Sequence, residues 1–141
     1  MTSERGSITP LVIGFATVLV LLVGVVIDAS AAYLQRQSLD NLADGAALSG
    51  ANEVRGSAVF SQGLDGDLAP LATDLARSAV HDYLRDTGAL HTHRGLQVAV
   101  TVRNRTIVVS LTAPLDLPIK VGDLTSGRVG SRGAAVVQVG R

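Results

Sequence analysis

At 141 residues the chain is long enough for one modest domain. Its 12 basic and 12 acidic residues cancel and lie scattered, so no basic face is available for nucleic acid, and 3% aromatics leave no stacking platform for single strands or sugars. The absence of Cys excludes disulfides, lipid-modified Cys, thiolate metal sites and a Cys nucleophile, and it fits either redox compartment.

The first element is Ile8–Ile27, ITPLVIGFATVLVLLVGVVI, which has no ionisable side chain. As a helix its roughly 20 residues span about 30 Å, the thickness of a bilayer core. So small a protein cannot surround an apolar rod of this length, which argues against a buried core helix. Ala29-Ser30-Ala31 has the small-x-small form of a signal-peptide cleavage site. However, the apolar run exceeds the usual 7–15 residues of such a segment, Asp28 precedes the cut, and the helical pattern runs on past it. The expectation is therefore an uncleaved anchor. Pro10 sits in its first turn, where a missing N–H costs little. Gly14 and Gly24 are read as the ordinary tolerance of membrane helices for Gly, with close helix approach as the alternative. Arg5 precedes the helix and no cation follows until Arg36, so the positive-inside rule places residues 1–7 in the cytoplasm and the rest outside.

The helix is expected to continue through 28–52, giving one rod from Pro10 to Asn52. No Pro intervenes, and Ala, Leu and Gln are frequent. Ala32, Gln35, Leu39, Leu42, Ala46 and Ser49 form a stripe at spacings of three and four. That stripe needs a cover, either the protein's own head or another subunit. Arg36 and Asp40 are placed to pair, and Gly45 is an expected weak point.

The remaining residues, 53–141, are expected to form a small α+β head. Residues 53–67 read as a loop punctuated by Gly56, Gly63 and Gly66. Asp65-Gly66-Asp67 lacks the further ligands of a calcium loop, and Asp67 is better placed as an N-cap. An amphipathic helix follows from Leu68 to Thr87. Its face is Leu68, Leu71, Leu75, Ala79 and Tyr83, widened by Ala72, Ala76, Val80 and Leu84, with Gly88 as the cap. ALHTHRG reads as a loop in which His91 and His93 have no third ligand nearby. Alternation predicts antiparallel strands at Leu96–Val102 and Thr106–Thr112 joined at Arg103-Asn104-Arg105, with Asn104 at positive φ. Pro114 and Pro118 end regular pairing, an extended connection follows, and a third strand is predicted at Ala134–Val139. No nucleophile elbow, Walker loop, dinucleotide fingerprint or metal-ligand spacing is present. The reading is of a non-enzymatic chain with no cofactor, no metal and no small-molecule substrate.

The segment from Arg5-Gly6 through the apolar helix, Asp28, Tyr33-Leu34 and Gln35-x-Gln37 to Leu39-Asp40-Asn41-Leu42-Ala43-Asp44-Gly45-Ala46-Ala47-Leu48 resembles the N-terminal region of the Flp pilus-assembly TadE/TadG-like family. The resemblance covers about a third of the chain and implies a pilin-like or pseudopilin-like component of tight-adherence secretion machinery. Its partners would be membrane lipid and other pilus-assembly or secretion proteins, including further copies of itself. It singles out Asp28, Tyr33, Leu39, Leu42, Asp44 and Ala46 as motif and helix-packing residues, and Gly6 as the candidate processing position. A cut after Gly6 would put Leu11 at the fifth mature position, where such processing prefers Glu, which favours the unprocessed TadG-like form. The alternative from another class is a membrane-tethered extracytoplasmic binding or sensor module.

Overall fold

The computed structural model describes residues 8–60, 68–119 and 127–137. Gly6, Arg5, Gly63, Gly66, Asp67 and Val139 lie outside that set, as do the expectations placed on them. The architecture is α+β: a long N-terminal apolar helix, then short helices and a three-stranded antiparallel sheet in the order β1-β2-β3.

Helix α1 spans Thr9–Phe60, 52 residues, or about 78 Å at the usual rise. Its two halves have opposite environments. From Leu11 to Ile27 every Leu, Ile, Val and Phe is exposed. The hydroxyls of Thr17 and Ser30 turn back onto the carbonyls of Ile13 and Val26, each at 2.8 Å, so they need no partner outside the helix. From Leu39 to Ala51 one face is buried: Leu39, Ala43, Ala46, Ala47, Gly50 and Ala51. The helix outruns its expected end at Asn52 by two turns, taking in Gly56. Half-buried Val54 still packs on the core there, and such packing offsets the roughly 1 kcal/mol that a helical Gly costs.

Helix α2, Leu68–Asp86, lies beside the outer half of α1. The centre of its face is Ala76, Val80 and Leu84, all fully buried. The row predicted as central is instead the rim: Leu75, Ala79 and Tyr83 are half-buried and Leu71 is 55% exposed. Gly88 stops the helix at φ 70°, ψ 11°, a left-handed conformation that Gly adopts without a Cβ penalty. The next residues form a one-turn helix, α3 (Ala89–Thr92), where a loop was expected. Its Ala89 seals the end of the core, and the amide of His93 bonds the Ala89 carbonyl at 2.9 Å.

Strands β1 (Gln97–Arg103) and β2 (Thr106–Pro114) pair from Arg103↔Thr106 to Gln97↔Thr112. Asn104 and Arg105 both have positive φ, 46° and 63°, as a two-residue hairpin turn with the twist of its strands requires. Strand β3 (Arg128–Val136) pairs antiparallel with the other side of β2. It begins six residues before the predicted Ala134. The phase of its alternation is as expected, with Ala135 and Val137 inward, but the earlier inward positions are Val129 and then Ser131 and Gly133. Ser131 and Gly133 interrupt the apolar signal by which strands are recognised.

Packing supplies the reason. Across the inner face, the middle row runs Val100, Val109, Gly133 and the next runs Val102, Ile107, Ala135. Side chains shrink from β1 to β3 because α2 covers β1 while α1 lies on β2 and β3. A Cβ on Gly133 would overlap the backbone of Ala43 and Asp44, and one on Gly45 would overlap the ring and hydroxyl of Tyr83. Gly45, expected to weaken α1, is thus the seat for an aromatic ring of α2. Gly50 is a third close approach, with the Ala76 carbonyl and a Val80 methyl each 3.3 Å from where its Cβ would stand.

Gly133→Val should destabilise the head by about 1–3 kcal/mol through overpacking, read as a lower melting temperature of the detergent-solubilised chain. Gly130→Val, on the exposed face of the same strand with nothing nearer than 3.6 Å, should change it by less than about 0.5 kcal/mol.

Candidate functional site

Between the two halves of α1, residues 114–119 come down from the end of β2 and lie against the helix. Two polar side chains hold this strap. Gln35 donates from Nε2 to the Pro114 carbonyl at 2.7 Å, and the Asp116 amide donates to Gln35 Oε1 at 3.0 Å. Seven residues earlier, two turns back on the same side, Asp28 Oδ1 accepts the Ile119 amide at 3.0 Å. The spacings match. Seven helical residues rise about 10.5 Å, and three extended residues, Asp116 to Ile119, cover about 10 Å. The strap therefore runs antiparallel to α1 and is held at two points two helical turns apart.

The residue types follow from this geometry. Pro114 ends the ladder but keeps a free carbonyl, and the amide two residues on is left without a strand partner. A carboxamide carries one donor group and one acceptor and can meet both. A carboxylate accepts only, which suits the lone N–H of Ile119. The strap is further tied by the Leu115 amide to the Gly127 carbonyl at 2.8 Å. At its lower end, Ile119 Cδ1 lies 3.5 Å from the place a Cβ on Gly24 would occupy, so the strap covers Gly24. Gly14 has open space around it.

The residues singled out from the sequence separate into three environments. Asp28 holds the strap. Leu39 and Ala46 are fully buried and Leu42 half-buried, in the core between α1 and the head. Tyr33, 67% exposed, and Asp44 face outward. The stripe is covered by the protein's own head, which settles one of the two covers the sequence left open. Asp40 bonds Ser131 Oγ on β3 rather than pairing with Arg36. Among the described residues the ion pairs are Arg77–Asp74 at 3.3 Å and Arg85–Asp82 at 2.9 Å, both exposed on α2. His91 is exposed on α3, and His93 Nε2 stands 3.4 Å from Ser38 Oγ. Among the described residues no group of three or more His, Asp or Glu converges as a metal site.

Gln35 is the residue that sequence reasoning misplaced. It was grouped with the packing stripe, whereas its amide is a main-chain clamp. The available signal was a lone carboxamide inside an otherwise apolar or small stripe, two turns after Asp28.

Comparison with known proteins bears on the same stretch. Residues 6–53 match the Tad family model, described as Flp pilus-assembly TadE/G-like. This segment is TadE/G-like. The match ends within α1 and contains Asp28, Gln35, Leu39, Ala43, Gly45 and Ala46. The TadE/G-like segment thus includes both strap-holding side chains and much of the surface on which the head is built. No curated protein and no solved structure matches the chain.

Removing the acceptor at Asp28 should free the lower strap. In Asp28→Ala the Ile119 amide should exchange with deuterium about tenfold faster, as expected for losing a hydrogen bond to a charged group. Asp28→Asn, which keeps an acceptor oxygen, should lose less. Equal exchange in all three proteins would show that the strap is held by packing alone.

Proposed function

We propose that the chain is a single-pass membrane protein of a Flp-type pilus-assembly or secretion machinery, and that it acts through protein contacts rather than catalysis. The observation that carries this reading is one continuous helix. Its inner part is long and apolar enough to cross a membrane and, Ile119 beside Gly24 apart, is uncovered by the described residues. Its outer part is the core element of a head, and the helix from Thr9 to Glu53 lies on the segment that matches the TadE/G-like family.

In this reading Ile8–Ile27 spans the bilayer and residues 1–7 stay in the cytoplasm, because Arg5 precedes the span and no cation follows it before Arg36. The head then stands outside. Asp28 at the outer boundary is not a bare charge, since the Ile119 amide meets it. Tyr33, about 7.5 Å further out than Asp28, has the amphipathic ring typical of membrane interfaces. The described residues of the head cover one side of α1. On the other side Leu48 is 57% exposed. This open side is the surface we assign to contacts with another pilus-assembly protein or a second copy.

One experiment tests orientation and contact together. The chain has no Cys, so Leu48→Cys carries a unique handle. A membrane-impermeant, thiol-directed crosslinker added to whole cells should react at this position and trap a pilus-assembly protein or a second copy, identified by mass. Ser3→Cys should not react. Reaction at Ser3→Cys alone would reverse the topology, and reaction at Leu48→Cys with nothing trapped would remove the assembly reading.

A further inference from the structure

Two faces of the head differ in charge. The three strands and the turn between β1 and β2 contain Arg103, Arg105, Arg128 and Arg132 and no Asp or Glu. On the outer face of the sheet Arg103, Arg128 and Arg132 are exposed, and between them stand small residues, Ala99, Gly130 and Ala134. Arg132 donates from Nε to Ser110 Oγ at 3.4 Å, which lays its side chain over β2. A groove runs between α1 and α2, and its charged lining is Glu53, Asp82 and Asp86, with no cation. It opens on the side of the helices away from the sheet, since Ala76, Val80 and Leu84, which α2 turns to the core, take no part in its lining. We propose that the sheet face of one copy docks on this groove of a second copy standing beside it in the membrane. The inference rests on the chain being a membrane-spanning component that works by contact, and it names the partner.

Charge complementarity selects this occupant. No acid on the sheet and no cation lining the groove opposes the pairing, and an Arg fork suits a carboxylate. Asp82 already has Arg85 at 2.9 Å, but both are exposed, and such pairs exchange partners at little cost. Height agrees as well. A Cβ on Gly50 would stand 3.5 Å from Ile107 Cγ2, so the Ile107 row lies level with Gly50. Arg103 and Thr106 form the next row of the ladder, and Glu53 is the next turn of α1. Lower down, Gly133 abuts Ala43 and Asp44 while the Tyr83 ring lies on Gly45. Arg132 therefore stands at the level of Asp82, with Asp86 one turn nearer the membrane. Two copies anchored in one bilayer share these heights. A shift within the membrane plane then sets Arg103 against Glu53 and Arg132 against Asp82 and Asp86, with both α1 helices parallel. The contact is head-to-tail, so it repeats from copy to copy. The sheet face measures roughly 15 by 25 Å, less than half of the roughly 800 Å² per partner of a stable soluble complex. Anchoring in a shared bilayer supplies the effective concentration that so small a contact requires.

The full chain is tested in membranes. Insertion is verified first, so failure of the membrane reading is seen as failure to insert. Because the chain has no Cys, two differently tagged copies can each carry one. Thr101→Cys is exposed on the sheet face and Ser78→Cys is exposed in the groove. A short thiol-directed crosslinker should join them at least fivefold more than it joins Thr101→Cys to His81→Cys, which is exposed on α2 outside the groove. Adding Arg103→Glu and Arg132→Glu to the sheet copy should lower the yield at least fivefold by setting like charges together. Glu53→Arg with Asp86→Arg in the groove copy should do the same. Combining the two reversed copies should restore the yield, which misfolding of either could not do. The inference is overturned if His81→Cys crosslinks as well as Ser78→Cys, if charge reversal leaves the yield unchanged, or if the two reversed copies together do not recover it. It is also overturned, with the assembly reading intact, if Thr101→Cys traps a different membrane protein in place of a second copy.

Discussion

The backbone of α1 at Ala43 and Asp44 lies directly against Gly133 of β3, and most of the head's construction depends on that approach. A helix normally packs on a sheet with side chains between them at about 10 Å. Here the layer is thinned to Ala on the helix and Ser, Gly and Ala on the strand. The larger residues, Leu39, Ile107, Val109 and Leu111, fill the space to either side. Gly45 repeats the arrangement towards α2, where the Tyr83 ring takes the place of a side chain. Small residues on α1 therefore have a definite purpose. They let one helix serve as the spine on which two other elements converge.

This spine continues without a break into the apolar half, so the head is joined to that half by one helix rather than by a linker. The strap adds a second tie. Asp28 and Gln35 use the helical repeat to catch an extended chain travelling the other way, and they anchor it at the level where the helix changes from apolar to mixed surface. Without a partner, Asp28 would be a charge beside a long apolar run, where charges are costly. With Ile119 it becomes the lower rivet of the head. A load applied to the head would pass into α1 along the buried face and through these bonds.

The sequence was legible wherever side-chain pattern alone decides structure. The apolar run, the β1–β2 hairpin with Asn104 at its turn, and α2 with its Gly88 stop all follow from local rules. It was illegible where a residue's role is set by what lies across from it. Residues 128–133 carry no apolar alternation because α1 requires Ser131 and Gly133 to be small, so the first half of β3 read as connection. Gly45 looked like a flaw in a helix because Tyr83 is distant in sequence. Gln35 looked like a pale member of a packing stripe because its partners lie 79 and 81 residues away. The stripe itself was visible, but its cover was not, since an amphipathic face does not say whose surface it meets. Of the strap site, Asp28 was singled out through the family resemblance, and its role came only from the fold.

The central claim is that residues 39–51 of α1 are the core of the chain's own head rather than a surface awaiting a partner. Hydrogen exchange on the full chain in detergent tests it most directly. Amides of α1 from Leu39 to Ala51 and of β2 from Ile107 to Ala113 should share one slow rate, as parts of one cooperative unit do. Leu39→Ala should speed both together, by at least about thirtyfold for the 2 kcal/mol or more that a buried Leu truncation costs. If the α1 amides accelerate while those of β2 keep their protection, helix and sheet are separate units and the account is wrong.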